Sequence, residues 1–286
     1  MRVLAGRSAA ESTALATRAA AEADALVVLG GDGLLHHALP GVAGTGRPVG
    51  IVSAGTGNDA VTAFGLPVDP LAATDAVIDA LALGTTAAVD LGEATGDDGS
   101  TTLFATVLCW GFDAAVAELG ARLPWPRGPR RYDVAIAAHT LALRHRPVGV
   151  ALDDAPAVTT TALLVAVGNG GWYGGGKRMV PQASPDDGRL GVTVIGPVTR
   201  RLLARLAPTL PVAGHVGHPA VTFAAAGRVR LTSTDPVAAW ADGERVASLP
   251  LTVTTRAGAL TLLRAPWCRL PKPVGPPVLS PSTADP

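Results

Sequence analysis

Apolar and polar positions follow one rhythm in the first third of this chain and another in the rest. Over residues 8–24 the spacing is helical: Ser8 and Glu11 have the form of a capping box, and Leu15 and Ala19 share the packing face of an Ala-rich helix. Residues 25–29 are a short apolar run, as are 49–52, and each leads into a glycine-rich turn in the manner of a buried strand. A further helix is predicted over 70–83, with Asp69 as cap, Pro70 in its first turn and Leu71, Val77, Ile78 and Leu81 as apolar positions. Residues 87–91 read as strand again.

After the polar loop 96–101 the composition shifts to β-branched, alternating runs at 102–108, 148–152, 159–167, 191–195, 221–223, 229–232 and 249–254. Helical patterning interrupts them over 113–122, 132–144 and 199–206. The pattern predicts an α/β protein of two domains: residues 1–91, then a β-rich domain over 92–266. The Pro-rich stretch 267–286 has the composition of a disordered tail.

Composition narrows the function classes. A 286-residue chain with 48% hydrophobic residues can bury two modest cores. Lys and Arg number 23 and Asp and Glu 23, so nothing marks a general nucleic-acid binder, and attraction to a membrane would need a local patch. Arg127, Arg130 and Arg131, and also Arg200, Arg201 and Arg205, are such clusters; they suit anionic headgroups or simply solvated faces. Cys109 and Cys268 give neither a disulfide framework nor a CxxC site, and no secretory signal or bilayer-length apolar run is read, so the expectation is a cytoplasmic protein.

Candidate chemistry concentrates in Gly30-Gly31-Asp32-Gly33 and Ser53-Ala54-Gly55-Thr56-Gly57-Asn58-Asp59. Glycines without side chains let a phosphate approach backbone N–H groups, and a helix starting there adds its positive dipole end. The pair of turns resembles the catalytic domain of the diacylglycerol kinase family, whose bacterial members and sphingosine-kinase relatives phosphorylate lipid hydroxyls with ATP. Later segments keep the family's order: Trp110-Gly111-Phe112-Asp113-Ala114; residues 167–194 with a Gly-Asn turn, a glycine run, Pro181, Ala183 and Asp187-Gly188; and Asp242-Gly243-Glu244. The likeness spans about residues 25–263.

The resemblance implies a Rossmann-like nucleotide-binding domain and a β-sandwich-like C-terminal domain, with ATP and acceptor in the cleft between. The family's first strand and helix, with their Asn-Pro-x-Ser-Gly loop, have no counterpart before Ala25, so the nucleotide domain is expected to lack them. Leu34 and His37 replace the family's threonine and glutamate. Carried over, Gly30, Gly31, Gly33 and Gly55 approach the nucleotide phosphates, Thr56 and Asn58 add side-chain hydrogen bonds, and His37 either donates to a phosphate or lies on a helix surface. Asp32, Asp59 and Asp90 hold or orient catalytic Mg²⁺. Asp242 or Glu244 is the base, the choice being open. Asp187, with the carbonyls of Ser184 and Arg189, holds a structural Mg²⁺ or forms a plain hairpin turn.

The function so implied is an ATP- and Mg²⁺-dependent lipid kinase acting on a hydroxyl such as that of diacylglycerol, peripheral at the inner face of the membrane, with homodimerisation left open. Two other classes fit part of the pattern. NAD kinases share the GGDG motif, and Leu34, His37 and the missing loop would suit a noncatalytic nucleotide- or lipid-binding relative.

Overall fold

A computed structural model describes residues 1–126, 128 and 130–275. Arg127 of the first arginine cluster and residues 276–286 of the Pro-rich tail lie outside the described residues.

The first part of the chain comprises α1 (Ala9–Glu22), β1 (Leu26–Gly30), α2 (Asp32–Val42), β2 (Pro48–Ser53), α3 (Asp59–Ala63), α4 (Pro70–Leu83) and β3 (Thr86–Gly96). There follow β4 (Thr101–Phe104), β5 (Val107–Gly111), α5 (Phe112–Arg122), α6 (Arg130–Leu141), β6 (Arg146–Leu152), β7 (Val158–Ala162), β8 (Leu164–Gly168) and β9 (Leu190–Ile195). The last part holds α7 (Arg200–Leu206), a 3-10 turn over Ala207–Val212, β10 (Val221–Ala226), β11 (Arg228–Thr232), β12 (Ala238–Ala241), β13 (Glu244–Ser248) and β14 (Leu251–Leu263).

Local signals act where expected at the helix ends. Ser8 Oγ accepts from the Glu11 amide at the start of α1, and Asp69 Oδ1 accepts from Leu71 and Ala72 at the start of α4. The packing face of α4 differs from the predicted one. Ala73, Ala76, Val77 and Ala80 are buried, whereas Leu71, Ile78 and Leu81 are exposed. The helix lies so close to β2 that a Cβ on Gly50 would stand 3.0 Å from Val77, and small side chains suit that separation.

β14 organises the larger sheet. One of its edges pairs with β11 through Leu251 to Thr254 and, further along, with β2 in parallel through Thr261 and Leu262; its other edge carries β3 over almost the whole length. The parallel pair β1–β2 is thereby continued into the antiparallel strands β11, β6 and β7. A second, antiparallel sheet of order β10-β9-β8-β5-β12-β13 packs on these. The core between them includes Phe104, Trp110, Val167, Leu190, Leu231 and Leu251. This is an α/β protein with a β-sandwich C-terminal domain.

Two runs expected as single strands divide between the sheets. Residues 102–108 become β4 in one sheet and β5 in the other; residues 159–167 become β7 and β8, with Leu163 at the corner. An unbroken apolar run carries no mark of the corner, since both sides face the same core.

Candidate active site

β1 and β2 run parallel with Gly30 opposite Ser53, so the turn following each strand leaves from the same edge of the sheet. There the turns touch through bare backbone. A Cβ on Gly55 would stand 2.6 Å from the Gly31 Cα, and one on Gly31 would stand 3.1 Å from the Gly55 Cα. Gly33 differs, for nothing lies within 4 Å of the place its Cβ would take. Gly30 instead turns toward the Leu34 side chain.

Asp32 fastens the two turns together. Its carboxylate accepts from the Asp59 and Ala60 amides, both at 3.1 Å, and so caps α3 across the gap. Asn58, at φ 58° in the left-handed region, gives that helix no side-chain cap. The amides that open α3 are thus already neutralised. α2 starts at Gly31 with no side-chain cap, so its free amides and positive end belong to the cleft, which Gly31, Asp32, Gly33, Gly55, Thr56 and Gly57 line. Of the two helix starts, that of α2 is the one left for a phosphate.

The other aspartates assigned to nucleotide or metal are also engaged with the chain. Asp59, 7% exposed, accepts from Gly175 N at 2.9 Å and Gly176 N at 2.7 Å, tying the second glycine turn to the glycine loop of the other domain. Burial pushes its carboxyl up to about 6, helped by nearby Asp32 and opposed by the two amides and Lys177. Asp90 in β3 accepts from Gly188 N and Gly258 N, each at 2.7 Å, and so pins the 185–188 turn against the bulge of β14. It does not line the cleft.

The turn proposed for structural Mg²⁺ lies beside Asp90. Asp187 Oδ1 accepts from Arg189 N at 2.9 Å, and Ser184 Oγ donates to Asp186 at 2.7 Å. Burial raises the Asp187 carboxyl above its ordinary range, with Asp90 and Asp186 adding to the effect. Among the described residues no group of three His, Cys, Asp or Glu side chains has the arrangement of a metal site.

Asp242 and Glu244 separate completely. Asp242 and Gly243, at φ 50° and 88°, form the two-residue connection between β12 and β13, where Ala241 pairs with Glu244. The side chain of Asp242 is 3% exposed. It accepts from Ala105 N at 2.7 Å, Thr106 N at 3.0 Å and Thr106 Oγ1 at 2.6 Å, with His36 Nδ1 of α2 at 3.5 Å. It therefore holds the corner at which β4 passes into β5. Asn169 secures the same corner from behind, donating to the carbonyls of Ala105 and Asp90. Glu244, in contrast, is 49% exposed, with His37 Nε2 at 3.9 Å. His37 thus stands by Glu244 and not by the glycine turns.

The cleft has a volume of about 750 Å³ and two characters. Glycine turns line one part; Val107, Cys109, Val116, Ala117, Ile136 and Trp240 line an apolar chamber. Its wall also includes Asp113, Tyr173 and Lys177. Tyr173 donates to Asp113 at 2.5 Å, and Lys177 lines the same cleft with its Nζ donating to Gly174 O at 2.7 Å. Burial raises the carboxyl of Asp113, opposed by the Tyr173 bond and Lys177; burial and Asp113 also keep the Tyr173 phenol protonated. Asp113 stood in a recognisable Gly-Phe-Asp-Ala turn, but no spacing in the chain announces that Tyr173, 60 positions away, meets it.

A glycine-walled cleft at the end of a parallel βα unit, opening to an apolar chamber beside a β-sandwich, is the architecture of a two-domain α/β protein of the kinase type. Comparison with known proteins makes this specific. Residues 1–94 match the diacylglycerol kinase catalytic domain, and residues 106–264 match the YegS C-terminal NAD kinase beta sandwich-like domain. A diacylglycerol kinase of Mycobacterium tuberculosis is 38% identical over 251 residues, which are 87% of this chain and 80% of that protein. One of Staphylococcus epidermidis is 28% identical over 232 residues, covering 80% of this chain and 70% of the relative. The crystal structure of a diacylglycerol kinase from Bacillus anthracis superimposes with a TM-score of 0.68 at 18% identity, over 94% of this chain and 86% of that one. The chain belongs to the diacylglycerol kinase catalytic-domain family, a family of lipid kinases.

Proposed function

We propose that this chain transfers the γ-phosphate of ATP to a lipid hydroxyl such as that of diacylglycerol, with Glu244 as general base. The observation that carries the reading is the single cleft that joins a bare-backbone phosphate site to an apolar chamber. The ATP phosphates lie over Gly31, Gly33 and Gly55 at the uncapped start of α2, and Lys177 offsets their charge. The acyl part of the acceptor enters the chamber. Its hydroxyl oxygen attacks the γ-phosphorus, the bond to the β-phosphate oxygen breaks, and Glu244 takes the hydroxyl proton.

Exposure supports this choice of base. A base must be reachable, and Glu244 is half-exposed directly after the cleft-lining Gly243, whereas Asp242, which itself lines the cleft, is 3% exposed and takes three donors. His37 Nε2 lies beside this carboxylate of Glu244, 3.9 Å from Oε1.

Each oxygen of Asp32, Asp59 and Asp90 accepts one backbone amide, so all three carboxylates hold turns of the chain, and Asp90 lies outside the cleft. An oxygen that accepts one amide keeps a second lone pair, so Asp32 and Asp59, which line the cleft, are the residues that would hold or orient Mg²⁺, directly or through water, and the ion would supply charge neutralisation beside the phosphates.

Transfer of labelled γ-phosphate from ATP to vesicle-borne diacylglycerol tests the reading. Glu244→Gln should lower kcat by about 10²- to 10⁴-fold with an unchanged melting temperature. Full activity in that variant would remove Glu244 as base, and transfer to NAD in place of lipid would overturn the acceptor class.

A further inference from the structure

We propose that the outer face formed by α6, α7 and the Trp125 segment is the surface on which this protein docks onto an anionic phospholipid bilayer. The inference rests on the lipid-kinase reading and names where the acceptor's membrane sits. α6 buries only Ala135 among its described residues. Val134, Ala138 and Leu141 follow one another at helical spacing on an exposed stripe, with Arg130 at its head, and Leu141 is 72% exposed. Trp125, just before the helix, is 78% exposed. α7 packs only Leu202 and Leu203 against the core and has no fully buried residue, and Arg200 donates to the carbonyls of Thr140 and Leu141, which joins the start of α7 to the end of α6.

Charge selects the occupant. The chain as a whole is neutral, yet residues 130–145 and 199–206 carry Arg130, Arg131, Arg144, Arg200, Arg201 and Arg205 against Asp133 alone. A comparable apolar stripe on α4, Leu71, Ile78 and Leu81, is flanked by Asp75 and Asp79, and an anionic surface would repel it. Among the described residues, the α6–α7 face is the one that combines apolar side chains placed to insert at the headgroup level with cations that attract anionic lipid. Tyr132 and Ile136, on the face of α6 opposite the stripe, line the cleft, so a single helix separates the docking face from the chamber.

The test is sedimentation with vesicles of phosphatidylcholine alone or mixed with phosphatidylglycerol, in the absence of ATP. The wild-type protein should bind the mixed vesicles in preference, and added salt should weaken binding. Arg201→Gln with Arg205→Gln removes two charges at about fivefold each and should cut the partition coefficient roughly 25-fold. Leu141→Ser and Trp125→Ala should weaken binding to the mixed vesicles, while all these variants keep wild-type turnover on a short-chain diacylglycerol dissolved as monomer. Equal binding of wild type and variants would overturn the proposal. So would a concentration-dependent dimer that Leu141→Ser dissociates without changing vesicle binding. If the variants lose vesicle binding but the wild-type protein phosphorylates no lipid, the docking surface stands and the lipid-kinase reading falls.

Discussion

The two ends of the cleft are built from different materials. At the glycine end, residues 30–33 and 55–59 present backbone, and the fit is so close that Gly31 and Gly55 exclude any side chain from the contact. At the chamber end, side chains from β5, α5, α6 and β12 form the wall. Backbone surfaces cannot be retuned by substitution, whereas apolar walls tolerate exchange at similar volume. On the proposed reading, the end that takes the phosphate is rigidly specified and the end that meets the acceptor is free to vary. Carboxylates hold the two ends in register, with Asp242 reaching from the β12–β13 turn to the 105–106 corner and Asp59 reaching from the second glycine turn to Gly175 and Gly176.

The sharpest way to break this arrangement is Asp242→Ala. It leaves the amides of Ala105 and Thr106 and the Thr106 hydroxyl without their acceptor, and the expected loss is about 3–5 kcal/mol of unfolding free energy, measured by denaturant titration. If Asp242 were instead the base, Asp242→Asn would abolish turnover with little change in stability.

Asp59 gives a pH-dependent test. Its carboxyl sits at about 6 in the folded protein against 3.8 ordinarily, so its contribution to stability is fully present below about pH 4 and is lost as pH rises through about 6. Relative to Asp59→Asn, the wild-type protein should therefore lose about 3 kcal/mol between those limits. Parallel stability profiles for the two proteins would show that Asp59 titrates normally.

Two glycine substitutions sharpen the contrast within the phosphate end. Gly55→Ala drives a Cβ into the Gly31 backbone and should cost about 1–3 kcal/mol of stability while also raising KM for ATP. Gly33→Ala meets nothing in the protein and should leave the melting temperature unchanged or slightly higher. Because its methyl group would occupy phosphate space, KM for ATP should still rise about tenfold, near 1.4 kcal/mol. An unchanged KM in Gly33→Ala would move the phosphates away from the start of α2.

Much of this was legible in the chain. Local rules set the helix caps at Ser8 and Asp69, the short apolar strands before each glycine turn, and the Asp-Gly hairpin at 242–243, because each depends on neighbours a few residues away. The motif order also identified the class of protein, and the glycine turns were recognisable as places of bare backbone because the role of glycine is to lack something. What only the tertiary structure decided was the work of the charged residues. Asp32, Asp59, Asp90 and Asp242 each accept amides from segments 27 to 168 positions away, so which carboxylate is consumed by the chain and which, like Glu244, stays reachable depends on contacts that no local pattern encodes. The same holds for the corners at 105–106 and Leu163 and for the alanine face of α4: an apolar run states that it will be buried, and packing determines against what.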